Sequence, residues 1–326
     1  RHTRSDRDWS SDVCSSDLLS FSPTSEYQLA STGDIDLAKL GLEAQAFFDG
    51  QTEEVLADLV AAGSSGGARP KAQFYISPDE PDRCRTVARP GDEAWLVKFT
   101  SRNLPLGHEE GLCEAVYLHL AGKLGLEPPE WRLFEAPEQS GARAWLGVKR
   151  FDWISHPQKA GRLHMHSACG LLDADFRTPS LDYEDLIKAS RHLCRSPAVG
   201  KLQFRRAMFN LFACNQDDHS KNWAFLQDDA GDWVPAPFYD VTFSPHPYQE
   251  HATAYAGFGK NPPLKAIQAL AARAGSATWE QDQRDIEEIV TFLADFAVVA
   301  RDFGVDSGVA ELIDRPLAGL RDGHGG

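Results

Sequence analysis

The chain changes its sequence pattern near residue 160, and this change constrains the fold more than any other feature. Before that point, short apolar runs of the β-strand type alternate with stretches whose apolar residues recur at helical spacing. After it, helical patterns predominate. Strands are predicted at 72–77, 94–99, 131–135 and 143–148, and helices at 108–125, 183–193, 201–214, 264–272, 286–300 and 309–320. We therefore expect an α+β fold of two lobes, a β-containing N-terminal lobe followed by a largely helical C-terminal lobe.

The charge balance of the chain disfavours nucleic acids and anionic lipids as partners. The 326 residues include 33 Lys and Arg against 48 Asp and Glu, which gives a net charge of −15. Such a surface repels the phosphates of nucleic acids and anionic lipids, so direct nucleic-acid binding is disfavoured.

The six cysteines are scattered without a Cys-x-x-Cys pair, a usage typical of reduced, intracellular proteins. We expect a cytoplasmic protein with no membrane partner, since no apolar run approaches the roughly 18 residues of a spanning helix.

Residues 1–18 differ in composition from the rest of the chain. They are rich in Ser, Asp and Arg, show no periodicity, and lack the apolar stretch of a secretory signal peptide. The string resembles a translated sequencing-adapter artefact of assembled metagenomic genes; a natural disordered tail is the alternative. We expect a disordered, non-native leader, and we expect the natural start of the protein to be missing.

A loop after the predicted helix 201–214 has the sequence Asn-Gln-Asp-Asp-His-Ser-Lys-Asn. Phosphoryl transfer to a hydroxyl needs a carboxylate that accepts the hydroxyl proton and an oxygen ligand for magnesium. Protein kinases supply these groups as Asp and Asn five residues apart, which is the spacing of Asp217 and Asn222. An acidic, solvated turn is the alternative interpretation of so short a pattern.

Asp240 follows this loop at the end of a short β-type segment and a Pro-Ala-Pro stretch. Kinases place their main Mg²⁺ ligand at a corresponding point of the chain, downstream of the catalytic loop. The alternative is an ordinary turn aspartate.

Lys98 lies within the apolar strand pattern Trp-Leu-Val-Lys-Phe. A lysine in such a run is costly unless its ammonium group meets an anion or reaches water. Kinases direct this lysine at the nucleotide phosphates and pair it with a glutamate of the next helix, for which Glu114 is the candidate, ahead of Glu109 and Glu110. A lysine on an edge strand that faces water is the alternative.

Residues 63–71, Gly-Ser-Ser-Gly-Gly-Ala-Arg-Pro-Lys, form a loop rich in glycine and serine. Glycines allow backbone N–H groups to approach phosphate oxygens closely. The loop lacks the Walker A pattern, and a flexible linker is the alternative. Its position completes an order typical of protein kinases: glycine loop, strand lysine, helix glutamate, Asp-x-x-x-x-Asn and metal-ligand aspartate.

Five segments of the chain closely resemble the signatures of HipA toxins, the serine/threonine kinases of bacterial type II toxin–antitoxin systems. These segments are GSSGGARPK, LVKF, LGVKRFDW, CNQDDHSKNWAFL and PAPFYDVTFS. The resemblance extends over about residues 30–300. It implies a two-lobed protein-kinase-like fold, ATP and Mg²⁺ as cofactors, and autophosphorylation that disables nucleotide binding.

The resemblance also implies roles for individual residues. Asp217 would be the catalytic base, Lys98 would hold the phosphates, His219 would lie beside the nucleotide or the base, and Ser64 would be autophosphorylated. Asn222 and Asp240 would bind magnesium. The implied ATP-binding residues are Gly66, Gly67, Ala68, Arg69, Lys71, Lys98, Glu114, Lys149, Arg150, Phe151, His219 and Tyr239.

The resemblance also implies how the chain is divided into lobes. Residues 19–151 would form the nucleotide-binding lobe, with a small β-rich N-terminal subdomain of full-length relatives missing, and residues 152–326 would form the helical catalytic lobe.

The implied partners are a helix-turn-helix antitoxin, DNA only through that antitoxin, and a protein substrate with Ser or Thr, such as an aminoacyl-tRNA synthetase. Two alternatives stay open: a kinase for lipids or small molecules, and a non-catalytic kinase-fold protein that docks an antitoxin.

Overall fold

A computed structural model describes residues 34–50, 70–158, 161–177 and 180–322. These residues form two compact units that alternate along the chain. The sheet unit comprises the described residues up to Ala115 together with Pro129–His164. The helical unit comprises Val116–Pro128 and the described residues from Met165 onward. The predicted α+β class, a β-containing part followed by a largely helical part, is confirmed.

The sheet unit is built on strands that pair antiparallel throughout. They are β1 (Asp34–Ile35), β2 (Lys71–Ser77), β3 (Glu80–Arg85), β4 (Glu93–Lys98), β5 (Trp131–Glu135) and β6 (Ala144–Lys149). Their order in the sheet is β1-β3-β2-β4-β6-β5. Strand β4 therefore lies in the middle of the sheet, with neighbours on both sides. A separate short hairpin joins β7 (Trp153–Ile154) to β8 (Gly161–Arg162).

Helix α1 (Leu37–Phe48) covers one end of the sheet core. Asp36 begins the helix, because its carboxylate accepts hydrogen bonds from the amides of the first turn. The buried helix residues pack with the aromatic side chains of β2, β4 and β6. Gly41 makes this close packing possible, since a Cβ atom there would lie 2.1 Å from the Trp145 ring.

The helical unit contains most of the remaining elements. Its helices are the second half of α2 (Glu110–Lys123), α3 (Ala168–Leu171), α4 (Tyr183–Leu193), α5 (Pro197–Phe212), α6 (Leu264–Ala274), α7 (Trp279–Ala294), α8 (Phe296–Asp302) and α9 (Ser307–Asp322). Its short strands are β9 (His164–Ser167), β10 (Leu181–Asp182), β11 (Ala224–Gln227), β12 (Trp233–Pro235) and β13 (Thr253–Ala254). The strands form a three-stranded sheet, β12-β11-β9, and a parallel pair, β10-β13.

Helix α5 is the central helix of this unit. It begins with proline at its first position, where the missing N–H group costs no hydrogen bond. Its second half is buried on nearly every side, against α4, α6 and α7. The helix ends at Phe212, so the loop that follows it starts from a fixed point in the core.

Several short elements were not predicted, and two longer segments also differ from the sequence predictions. No strand was predicted between 72–77 and 94–99, but this segment contains strand β3. The predicted helix 286–300 is divided at Asp295 into α7 and α8. Within the described residues, no helix is both long and apolar enough to span a bilayer.

Candidate active site

Lys98 and Glu114 form a buried ion pair within the sheet unit. Lys98 is the last residue of the central strand β4, and Glu114 lies on the second turn of α2. The Lys98 Nζ atom donates a hydrogen bond to Glu114 Oε1 at 2.7 Å, and the two side chains are 9% and 1% exposed. Burial of a charge is costly unless it is paired and hydrogen-bonded, and here each ion satisfies the other.

The neighbouring glutamate of α2 has a different partner. Glu110 is buried, and its Oε1 atom accepts a hydrogen bond from the Leu106 amide in the turn that precedes the helix. The structure therefore brings together Lys98 and Glu114, the pair favoured by the sequence.

The segment from Lys149 to Phe151, whose residues were predicted to bind ATP, begins at the last residue of strand β6. The amides of Lys149 and Arg150 donate to the carbonyl oxygens of Glu130 and Ala94, each at 2.8 Å, which extends the sheet pairing. These two N–H groups are therefore used by the fold. The Lys149 ammonium contacts Glu93 at 2.6 Å and Glu130 at 2.9 Å. Burial alone would lower the pKa of Lys149, but the hydrogen bonds to both glutamates raise it above its usual value.

Arg150 is held by two side chains of the sheet unit. Its guanidinium makes a two-point contact with the buried Asp152, Nε to Oδ1 at 2.9 Å, and its Nη1 atom donates to Gln73. A guanidinium fixed in this way orients the backbone of the segment after β6.

Most of the predicted glycine loop lies outside the described residues, including Ser64, Gly66, Gly67, Ala68 and Arg69. Lys71, at its end, is described. It is the first residue of β2 and is paired in register with Lys98 of β4. The end of the loop is therefore on the strand next to the buried lysine.

In the helical unit, residues 215–222 form the loop that the sequence predicted to be catalytic. The Asp217 side chain is 69% exposed, and its amide donates to the Ser244 hydroxyl at 3.2 Å. The Asn222 Nδ2 atom donates to the Asp217 carbonyl oxygen at 2.8 Å. This bond fixes the orientation of the Asn222 amide, and its Oδ1 atom, which does not take part in the bond, is the one able to ligate a metal.

Asp218, which the sequence analysis did not single out, anchors this loop. It is buried, and its Oδ2 atom accepts from the Tyr183 hydroxyl at 2.6 Å and contacts His251 Nδ1 at 3.0 Å. Its Oδ1 atom accepts from the Thr253 amide at 3.1 Å, and its carbonyl oxygen accepts from Trp223 Nε1 at 3.3 Å. Asp218 thus ties the loop to α4 and β13, while its neighbour Asp217 stays at the surface.

A second set of hydrogen bonds connects this anchor to α5. Asn210, near the end of α5, donates to the Tyr183 hydroxyl at 2.9 Å and accepts from Asn215 at 2.8 Å. The Ser244 hydroxyl donates to Asn215 Oδ1 at 2.8 Å. Ser244 thereby links the network to the amide of Asp217. The steps from Asp218 to Ser244 are buried or half-buried, which favours one fixed loop conformation, and only the last step, to the Asp217 amide, is exposed.

His219 lies next to Asp217 but is not hydrogen-bonded to it. The distance between His219 Nε2 and Asp217 Oδ1 is 3.8 Å, and the imidazole edge faces the Phe176 ring with centroids 6.0 Å apart. Lys221 places its Nζ atom 3.7 Å from the centre of the same Phe176 ring.

Asp240 adopts a left-handed backbone conformation, with φ of 56°. This conformation is rare for residues other than glycine, although aspartate tolerates it, and such positions cluster at functional sites. The preceding Tyr239 is buried and donates its hydroxyl to the Lys221 carbonyl oxygen at 2.6 Å. Tyr239 therefore connects the Asp240 turn to the loop that carries Asp217 and Asn222.

The residues present suit magnesium in their chemistry. Asn222 and Asp240 supply an amide oxygen and a carboxylate, the hard oxygen ligands that Mg²⁺ prefers. Among the described residues, no group of three or more His, Cys, Asp or Glu side chains is arranged to hold a metal ion. A two-ligand protein site suits Mg²⁺ in particular, because this ion is commonly held by one or two side chains together with substrate phosphates.

Comparisons with known proteins bear on the family and the fold of the chain. A family model described as the HipA-like C-terminal domain matches residues 63–300, more than half of the chain. A Sinorhizobium fredii protein, provisionally named as the kinase Y4mE, is 30% identical over 137 residues, which cover 39% of this chain and 31% of that protein.

The fold is also similar to a solved structure, the complex of the Shewanella oneidensis toxin–antitoxin proteins HipA and HipB with their operator DNA. The TM-score is 0.60 at 17% sequence identity, and the match covers 79% of this chain and 64% of that one. In both comparisons the match spans less than two thirds of the relative's own length. The chain belongs to the HipA-like C-terminal domain family, and its fold is the two-lobed, protein-kinase-like α+β fold.

Proposed function

We propose that this chain is an ATP- and Mg²⁺-dependent serine/threonine protein kinase and the toxin component of a toxin–antitoxin pair. The observation that carries the proposal is the buried pair of Lys98 and Glu114, 2.7 Å apart at the end of a central strand. Burial of two charges often contributes little net stability compared with apolar residues of the same size. A role in holding nucleotide phosphates explains why a lysine occupies this position.

The proposed transfer step uses the exposed carboxylate of Asp217. The hydroxyl oxygen of the substrate forms a bond to the γ-phosphorus of ATP, the bond between that phosphorus and the bridging oxygen breaks, and ADP leaves. Asp217 accepts the hydroxyl proton. Asn222 and Asp240 would hold magnesium, which, when bound, neutralises negative charge on the phosphate oxygens. His219 lies beside Asp217 and would contact either the nucleotide or this catalytic base.

Nucleotide binding is proposed for the sheet unit. Lys98, positioned by Glu114, would contact the phosphates, and the residues Gly66, Gly67, Ala68, Arg69 and Lys71 would surround them. The backbone of Lys149 to Phe151 would meet adenine through groups other than the two amides that the sheet uses. Tyr239 would act indirectly, since its hydroxyl bonds to the loop.

The partner and target are proposed from the family. The solved relative is part of a complex of HipA with HipB and operator DNA. We therefore expect a helix-turn-helix antitoxin as partner, with DNA reached only through it. A translation component such as an aminoacyl-tRNA synthetase is the proposed target. The net charge of −15 supports a protein rather than a nucleic acid as the direct partner.

Mass spectrometry after incubation with Mg-ATP tests the proposal. Phosphate should be found on Ser64 of the wild-type chain and of Ser65→Ala, the matched control, and should be lost in Ser64→Ala. Phosphate at other positions only would contradict the assignment of Ser64. ATP consumption without any protein phosphorylation would favour a kinase for small molecules or lipids, and absence of both would favour a non-catalytic docking protein.

A further inference from the structure

A cavity of about 500 Å³ on the helical unit is lined by basic side chains. It lies between the end of α4, the start of α5 and the end of α6, and no residue of the loop that carries Asp217 is in its lining. The basic residues around it are Lys188, Arg191, His192, Arg195 and Arg273. No Asp or Glu is among the residues that line it.

This concentration of positive charge contrasts with the protein as a whole, whose net charge is −15. Arg273 contacts Glu184 at its outer edge. In contrast, Lys188, Arg191 and Arg195 form no ion pair with any carboxylate in the described parts of the chain. Neighbouring cations without counter-charges repel each other, so an anion in the cavity would be stabilised by all of them.

Arg191 is held in place by its surroundings rather than extended into solvent. A Cβ atom on Gly200 of α5 would lie 2.5 Å from the Arg191 side chain, and one on Gly275 would lie 3.0 Å from its guanidinium. The guanidinium also donates to the Arg273 carbonyl oxygen at 2.6 Å. The fold thus leaves room for this side chain at two glycines and fixes it at the cavity wall. A fixed guanidinium loses little further entropy when it binds an anion.

The positive surface continues on one side of the cavity and ends on the other. On one side, an adjoining cavity shares Arg191, His192 and Arg195 and reaches Trp233, again without a carboxylate in its lining. On the other side, beyond Lys188, a third cavity is lined by Asp173 and Asp185. The basic region therefore extends over two adjoining cavities and ends at Asp173 and Asp185.

We propose that this cavity is an accessory binding site for a phosphate-bearing small ligand or a phosphorylated serine or threonine side chain. Arginine guanidinium groups match phosphate oxygens in geometry and charge, and Lys188 and Arg195 add flexible cations at the rim. A nucleic acid is disfavoured, because the acidic remainder of the surface would repel a long polyanion. This site is independent of the proposed transfer step, which uses other residues.

Isothermal titration calorimetry with pyrophosphate, and separately with a short phosphoserine peptide and its unphosphorylated form, tests the proposal. Lys188→Gln/Arg195→Gln removes two exposed cations from the cavity. Lys265→Gln/Arg301→Gln removes the same charge from exposed positions of the same unit outside it. We expect binding of the phosphate probes to weaken about tenfold or more in the first variant only, as for the loss of charged hydrogen bonds. Whether pyrophosphate or the phosphopeptide binds more tightly identifies the source of the phosphate.

Three results would overturn the assignment. The first is equal weakening by both double variants, which would indicate a general charge effect. The second is loss of pyrophosphate binding in Lys98→Met but not in Lys188→Gln/Arg195→Gln, which would locate the anion at the proposed nucleotide site. The third is tighter binding of a single-stranded oligonucleotide than of either phosphate probe, which would make the cavity part of a nucleic-acid surface.

Discussion

Lys98 and Glu114 should behave as a coupled pair in a double-mutant cycle. Lys98→Met leaves a carboxylate whose side chain is 1% exposed, whereas Glu114→Leu leaves an ammonium whose side chain is 9% exposed. Loss of one partner of a buried pair costs about 3–5 kcal/mol of unfolding free energy. Lysine can direct its terminal group towards water, so we expect Glu114→Leu near the lower end of this range and Lys98→Met near the upper end.

The double variant Lys98→Met/Glu114→Leu should be much more stable than the sum of the single effects predicts. It contains no unpaired charge and fills a similar volume with apolar atoms, so its stability should lie within about 1–2 kcal/mol of the wild type. Urea unfolding followed by circular dichroism measures all four proteins. Mg-ATP binding, measured by calorimetry, should be lost in Lys98→Met and also in the double variant. The apolar replacements restore the stability that the ion pair gave, but they cannot replace the Lys98 ammonium group as a ligand of the phosphates. Additive single effects, or recovery of ATP binding, would refute this reasoning.

Three further predictions concern the loop anchor, the core and pH dependence. Asp218→Asn removes a buried carboxylate that accepts a hydrogen bond from the Tyr183 hydroxyl. This variant should lower the unfolding free energy by about 1.5–3 kcal/mol and should reduce phosphoryl transfer. Gly41→Ala should destabilise the sheet unit by about 1–3 kcal/mol in urea unfolding, because the new Cβ atom would overlap the buried Trp145 ring. Burial, followed by the nearby Asp218 charge, raises the pKa of Tyr183 and Tyr255 well above the usual value of 10.0. The folded state then binds more protons than the unfolded state above that pH, so stability should fall as pH rises beyond about 10. Absorbance at the tyrosinate band should show these two residues ionising only on unfolding.

The sequence predicted the elements whose causes are local. The apolar strand pattern around Lys98 and the helical spacing around Glu114 predicted both a strand and the next helix, and the structure brings the two side chains together. Helix α4 was predicted with the observed bounds, 183–193, and the structure shows that Asp182, directly before it in the sequence, caps its first turn.

Strand β3 was missed because its sequence is polar and contains a proline. Its Arg85 is nevertheless buried, with Asp92 and Glu80 at 2.9 and 2.8 Å from its guanidinium. Asp92 lies outside the strand, and Glu80 is its first residue. The residues of the strand alone therefore give no β signal. The stabilising contacts are tertiary, and they override the low β propensity of this segment.

Asp218 was missed for a related reason. Within the sequence Asn-Gln-Asp-Asp-His it is one of two adjacent aspartates, and nothing local separates the exposed one from the buried one. The distinction depends on Tyr183, His251 and Thr253, which are far from it along the chain. No signal in the local sequence could therefore have singled out Asp218.

The most direct test of the central claim is transfer of the labelled γ-phosphate of ATP by wild-type chain, Asp217→Asn and Asp229→Asn in the presence of Mg²⁺. Asp229 is an exposed aspartate of the turn after β11 and provides the matched control. We predict that Asp229→Asn incorporates phosphate at the wild-type rate. Asp217→Asn should retain ATP binding but lose incorporation by a factor of about 10² or more, as expected for removal of a general base. Equal incorporation by Asp217→Asn and the wild type would contradict the account.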